Sequence, residues 1–189
     1  YSDRDVINCG GLIFLIPCTF AVFPLWQLVG HENIVPYIAL MFAMTLIGYI
    51  DDSIGENKVK GLMGHIKNAL SGQLTTGILK IVLTLTIGIV LSGIYFRHFW
   101  DIILNTILFC LSVNFINLLD LRPGRATKGF VVLIMSVFIF SEQKSSWIIL
   151  PIFSCLSVYI KGELNEIYML GDTGSNLLGG ILGLYLLKA

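Results

Sequence analysis

The chain has 189 residues, of which 56% are apolar and 13% are charged, and its mean hydropathy is +0.84. A soluble domain carries about a quarter charged residues, so this composition argues against a water-soluble enzyme. Twelve basic and twelve acidic side chains give a net charge of zero, which lacks the basic excess typical of nucleic-acid binding. We therefore expect an all-α, polytopic integral membrane protein that acts in the lipid bilayer and not on nucleic acid.

Seven apolar segments without a charged side chain follow one another along the chain. A bilayer core of about 30 Å requires about 20 helical residues, with a lower limit of about 17. The first two and the fourth are long enough alone, the third can extend back to residue 75, and the fifth is the shortest. We expect about seven transmembrane helices in a single membrane domain, 1–189, from the segments 6–30, 33–50, 81–96, 102–119, 129–141, 145–160 and 173–187.

The charged residues are distributed unevenly between the two sides if these segments alternate across the membrane. Three basic residues fall on the second side, and they are Arg97, Lys144 and Lys188. The other nine fall on the first side, and they are Arg4, Lys58, Lys60, Lys67, Lys80, Arg122, Arg125, Lys128 and Lys161. Cytoplasmic loops carry the Lys/Arg excess, so the first side is expected to face the cytoplasm.

Four aspartates lie at the ends of spans on this same side, and they are Asp51, Asp52, Asp120 and Asp172. An ionisable residue within a span costs about 2.5–3.5 kcal/mol on insertion scales, so such residues suggest function. Adjacent carboxylates repel each other unless a cation lies between them. Mg²⁺ accepts one or two carboxylates and completes its shell with water and phosphate oxygens. The pattern therefore predicts a magnesium site.

Asn114, Asn117 and Asp120 repeat at three-residue spacing and so share one helical face, which predicts a polar stripe directed at the same site. Simpler explanations exist for each motif: Asp51-Asp52 could be a solvated helix end, and Asp172 could cap a helix. The occurrence of all the motifs on one side favours chemistry. Glu163 and Glu166 are interpreted as ordinary loop charges.

The motifs in this order resemble the polyprenyl-phosphate N-acetylhexosamine-1-phosphate transferases, a family of integral membrane enzymes. The resemblance covers most of the chain and rests on four motifs: Gly10-Gly11, Gly48-Tyr-Ile-Asp-Asp52, Asn114-Phe-Ile-Asn-Leu-Leu-Asp120 and Met169-Leu-Gly-Asp-Thr-Gly-Ser175. Lys80 resembles the family's lysine, with Lys67 as the competing candidate. Lys67 lies in a segment, 61–70, whose apolar spacing predicts a short helix on the membrane surface.

The resemblance implies a transfer that depends on Mg²⁺, with Mn²⁺ as an alternative ion. In it, the phosphate of undecaprenyl phosphate attacks the β-phosphorus of a UDP-N-acetylhexosamine, UMP leaves, and a lipid-linked diphosphosugar forms. It further implies a bacterial plasma membrane, an active site facing the cytoplasm, a role in making peptidoglycan or another surface glycan, and a homodimer as a candidate assembly.

Residue roles are also implied by the resemblance. Asp172 would be the metal ligand, and Asp51 would be the base or would position the lipid phosphate. Asp52 and Asp120 would lie around the metal and the diphosphate, and Lys80 would contact phosphate or nucleotide. The remaining substrate-binding candidates are Asn114 and Asn117.

The sequence departs from the family after Asp120. Where the family continues Gly-Leu-Asp-Gly-Leu-Ala, this chain reads Leu121-Arg-Pro-Gly-Arg-Ala126, with Pro123 in place of the second aspartate. Arg122 and Arg125 are predicted to bind the diphosphate instead, since the planar guanidinium group can donate two hydrogen bonds to phosphate oxygens. The resemblance also implies that the chain corresponds to part of the family's usual ten spans. The family segment that helps to select the sugar is not among the motifs of this chain, so the sequence does not determine which sugar is transferred.

Two other functions remain as alternatives. A small transporter with an acid-lined path would hold its acids near the middle of the bilayer, whereas these acids gather at one interface beside a basic loop. A catalytically inactive scaffold is suggested by the loss of the second aspartate at Pro123.

Overall fold

All the elements in the described part of the chain are helices, as the composition predicts. The computed structural model describes residues 10–54, 76–141 and 146–189. Lys67 and the predicted surface helix 61–70 lie outside them. In chain order the elements are α1 (Leu12–Val22), a 3₁₀ turn (Phe23–Leu25), α2 (Trp26–Val29), α3 (His31–Ile54), α4 (Thr76–Tyr95), α5 (Phe99–Leu119), α6 (Arg125–Phe140), α7 (Ser146–Leu164) and α8 (Gly171–Leu187).

Among the described residues, four helices are long and apolar enough to cross a membrane, and they lie within α3, α4, α5 and α7. They correspond to the predicted segments 33–50, 81–96, 102–119 and 145–160. Large apolar side chains such as Leu104, Leu111 and Val158 are exposed on them, an arrangement that suits lipid contact. The chain therefore has the fold of a polytopic helical membrane protein.

The first predicted segment differs from the expected single span over 6–30. Its described residues form α1, which has 11 residues, followed by the 3₁₀ turn and the four-residue α2. Pro24 lies in the turn, and Gly30 ends α2 with a φ of 86°. Proline lacks the N–H that a continuing helix requires, and glycine adopts positive φ without strain. Apolar composition alone does not reveal these interruptions.

The short helix α8 is the centre of the bundle, and its side chains are almost all buried. It packs most extensively against α3 and α5, and also against α6. Glycines on two sides of α8 permit this close packing. A Cβ at Gly179 would lie 2.6 Å from Val113 Cα in α5, and a Cβ at Gly180 would lie 2.9 Å from Met44 Cγ in α3. Small residues let helices approach closely in membranes. The packing brings the first turn of α8 next to the ends of α3 and α5.

Candidate active site

The site is built around the first turn of α8. The two glycines of the first motif, Gly10 and Gly11, pack directly against this turn. The N–H groups of Gly10 and Gly11 donate to the carbonyls of Met169 and Leu170, both at 3.1 Å. A side chain at Gly11 would overlap the backbone of Gly174. The glycine pair therefore allows the start of α1 to lie directly against the start of α8.

A third glycine brings α3 into contact with the same turn. A Cβ at Gly48 would overlap the carbonyl oxygen of Asp172, and it would lie 2.5 Å from Thr173 Cα. Gly48 stands one helical turn before Asp52. The close approach of the two backbones therefore places the Asp52 carboxylate beside the N-terminus of α8.

Asp52 caps α8 from outside that helix. The N-cap residue of α8, Leu170, supplies no side-chain hydrogen bond. Instead, the Asp52 carboxylate accepts hydrogen bonds from the backbone N–H groups of Asp172 at 2.9 Å and Thr173 at 2.8 Å, and from the Thr173 hydroxyl. A helix N-terminus has unsatisfied N–H groups and a positive dipole end, so a carboxylate there is stabilising. Asp52 thus fixes the backbone that carries Asp172.

Lys80 joins the two remaining acids of the site. Its ammonium lies 3.1 Å from Asp172 Oδ1 and 3.5 Å from Asp51 Oδ2. A cation between like charges removes their repulsion, and Lys80 from the first turns of α4 provides that charge. The structure therefore brings together three of the predicted site residues, Asp51, Lys80 and Asp172.

Asn117 and Asp120 approach the same region from the end of α5. Asn117 Oδ1 accepts a hydrogen bond from the Ser175 hydroxyl at 3.1 Å. Burial, followed by the negative charges of Glu163 and Asp172, raises the pKa of Asp120 to about 7. Asp120 Oδ1 is buried and has no hydrogen-bond partner among the described residues. This oxygen is available to a proton or to a cation.

The other predicted substrate contacts are exposed. Asn114 lies one turn before Asn117 on α5, Arg122 lies in the turn after α5, and Arg125 begins α6, all with exposed side chains. Their predicted roles in binding substrate stay predictions.

Glu163 is a residue that the sequence interpretation misplaced. The interpretation as an ordinary loop charge is wrong, because Glu163 lies in α7, is 0% exposed and accepts a hydrogen bond of 2.6 Å from the Thr127 hydroxyl. Glu166, which was interpreted in the same way, is exposed. Thr127 stands 36 positions earlier, so local sequence carries no signal of this pairing.

Comparison with known proteins gives two relatives and no matching protein-family profile. The chain is 30% identical to a phospho-N-acetylmuramoyl-pentapeptide-transferase of Acetivibrio thermocellus over 97% of its own length, and 26% identical to one of Staphylococcus carnosus over 92%. It spans 59% of the length of each relative. The chain is thus similar, along nearly all of its length, to transferases of the kind that its motifs resemble.

Proposed function

We propose that the protein transfers an N-acetylhexosamine-1-phosphate from a UDP-sugar to a polyprenyl phosphate such as undecaprenyl phosphate. The observation that carries the proposal is the contact of Lys80 with Asp51 and Asp172 at the capped first turn of α8. The motifs that hold these residues are those that resemble the family. The similarity to two phospho-N-acetylmuramoyl-pentapeptide-transferases supports the same chemistry.

The donor atoms suit a Mg²⁺ ion, or Mn²⁺ in its place, held by few protein ligands. Within the described ranges no three His, Cys, Asp or Glu side chains converge as a metal cage. Mg²⁺ needs only one or two carboxylates beside water and phosphate oxygens. Asp172 is the proposed ligand, and the unpartnered Asp120 Oδ1 is a second oxygen in the same region. The ion would neutralise charge on the diphosphate as UMP leaves.

The chain's own residues would act mainly by position and charge. An oxygen of the lipid phosphate forms a bond to the β-phosphorus, and the bond from that phosphorus to the UMP oxygen breaks. A phosphate monoester has its second pKa near 6, so the attacking oxygen is already largely ionised at neutral pH. No strong base is then required. Asp51, in contact with Lys80, is better suited to orienting that ammonium toward the phosphates.

The proposed setting is a bacterial plasma membrane with the site on its cytoplasmic face, where the nine basic residues are predicted to lie. A UDP-sugar is available on that side. The lipid substrate would enter from the bilayer beside α4, whose outer face is apolar and exposed at residues such as Val82 and Leu85. Assembly as a homodimer stays a prediction.

The proposal is tested by incubating the purified full chain with Mg²⁺, undecaprenyl phosphate and a panel of UDP-sugars while UMP release is measured. We expect release with at least one UDP-N-acetylhexosamine, and its loss when EDTA removes the metal. Absence of release with every sugar would refute the transferase and favour the scaffold or transporter.

The matched variants are Asp172→Asn and Asp101→Asn. Asp172→Asn removes the proposed metal ligand and is expected to lower UMP release at least about 1,000-fold, since metal-based charge stabilisation contributes several kcal/mol. Asp101 lies in the first turn of α5, at the opposite end of that helix from Asp120, so its amide variant should behave as wild type. Near-normal turnover by Asp172→Asn would remove Asp172 from the site.

A further inference from the structure

Glu163 carries a buried charge close to the site but outside the residues used so far. It is 0% exposed although its neighbour Leu164 is 51% exposed. A buried carboxylate is costly unless it accepts hydrogen bonds. Its partner is Thr127, which is also fully buried and donates to Oε2 at 2.6 Å. This hydrogen bond fastens the end of α7 to the first turn of α6.

A second contact holds the same two elements together. Gly124, the N-cap of α6, has a φ of 76°, and a Cβ there would lie 3.0 Å from Leu164 Cδ2. Glycine at this position lets the turn rest against α7 in a backbone conformation that other residues rarely adopt. The segment 120–125 is therefore held by α7 as well as by the two helices that it connects.

The attachment to α7 would fix the position of the candidate site residues in the segment 120–125. This segment begins with Asp120 and includes the two exposed arginines, Arg122 and Arg125. The buried Thr127 hydroxyl needs a hydrogen-bond acceptor, which an apolar residue at position 163 would not supply. The side chain at position 163 therefore attaches this segment through a specific hydrogen bond and not through apolar packing alone.

We propose that Glu163 is a positioning residue for the phosphosugar transfer, which through Thr127 holds the segment 120–125, and with it Asp120, against the first turn of α8. The kinetic part of this inference rests on the proposed function. The attachment of the segment to α7 does not rest on it, and so it can be measured separately. The hydrogen bond between Thr127 and Glu163, and not the charge of Glu163, holds the segment in position.

The first experiment measures backbone hydrogen exchange over residues 121–128 in the purified full chain. Glu163→Ala and Thr127→Val each remove the hydrogen bond and should raise exchange there about tenfold, the effect of losing one hydrogen bond to a charged group. Glu163→Gln keeps an acceptor and Thr127→Ser keeps the hydroxyl, so both should exchange as wild type does. Glu166→Gln, three residues further along and exposed, is the control.

The second experiment measures UMP release by the same variants. A displacement of about 1 Å can lower turnover about 100-fold, so we expect kcat to fall about 10- to 100-fold in Glu163→Ala and Thr127→Val. The KM for the UDP-sugar should change less than kcat. Activity should return in Glu163→Gln and Thr127→Ser. The double variant should be no slower than the slower single variant, because both changes remove one hydrogen bond.

Three results would overturn the inference: unchanged exchange over 121–128 in Thr127→Val, a Glu163→Gln variant as slow as Glu163→Ala, or lowered thermal stability with unchanged kcat. Thr127→Val alters only one buried hydroxyl, and it decides the question if Glu163→Ala does not fold. In another outcome, the wild-type protein releases no UMP while the variants still show faster exchange over 121–128. That combination would refute the transferase proposal alone and would support the attachment of the segment to α7.

Discussion

Gly48→Ala is the substitution that most directly tests how the site is held together. The added Cβ would overlap the carbonyl oxygen of Asp172 and would lie 2.5 Å from Thr173 Cα. Both neighbours are backbone atoms within a buried helix turn, so neither can rotate away as a flexible side chain would. The two helices α3 and α8 would have to separate at this point.

The expected size of the effect follows from these contacts. Carbon atoms pack best at about 3.5–4.0 Å, so the backbones must move apart by about 1 Å or more. Overpacking of this kind costs about 1–3 kcal/mol, which exceeds the roughly 0.5–1 kcal/mol that alanine gains over glycine in a helix. The hydrogen bonds from Asp172 and Thr173 to Asp52, at 2.9 and 2.8 Å, would be stretched beyond their useful range.

Two measurements follow, namely thermal unfolding in detergent and UMP release under saturating substrates. We expect Gly48→Ala to lower the unfolding temperature and to lower kcat about 100-fold, because Asp172 shifts relative to Lys80. Gly93→Ala is the matched control, since no side chain or other helix among the described residues lies within 4 Å of its added Cβ and the residue is exposed on α4. It should keep wild-type turnover and an equal or higher unfolding temperature. Wild-type stability and turnover in Gly48→Ala would refute the close approach of α3 to α8.

Three further predictions concern the cap, the altered turn and the orientation. Asp52→Asn should destabilise the protein by about 1–3 kcal/mol in thermal unfolding, since an amide cannot accept all three hydrogen bonds; an unchanged unfolding temperature would contradict the cap. Arg125→Lys should lower kcat/KM for the UDP-sugar, because lysine cannot form the bidentate phosphate contact, whereas Arg97→Lys should not; equal kinetics in both would leave Arg125 as a topology residue. Leu121→Cys should react with a membrane-impermeant thiol reagent only from the cytoplasmic side, and His98→Cys only from outside; reversed labelling would contradict the proposed function.

Much of the fold follows from composition and spacing alone. Long runs without charge predict helices, because a backbone in lipid must satisfy its own hydrogen bonds, and the all-α membrane fold is confirmed. The sequence also predicts Asp51 and Asp172 as site residues, since acids at the ends of apolar spans are unusual enough to suggest function. The structure places both in contact with Lys80, and their roles in chemistry stay predictions. The motifs resemble a family of transferases, and the two relatives to which the chain is similar are transferases of that kind.

Tertiary structure alone decided what each acid contacts. Asp51 and Asp52 are adjacent in sequence, yet consecutive helical side chains point about 100° apart, so one meets Lys80 and the other caps α8. Glu163 and Glu166 also look alike in sequence, but α7 ends between them, and only the first is turned into the bundle beside Thr127. Local pattern determines which residues form a helix and what it costs to bury them. Hydrogen-bond partners that stand 36 to 121 positions apart in the sequence meet only because the helices pack together, and no local pattern encodes that packing.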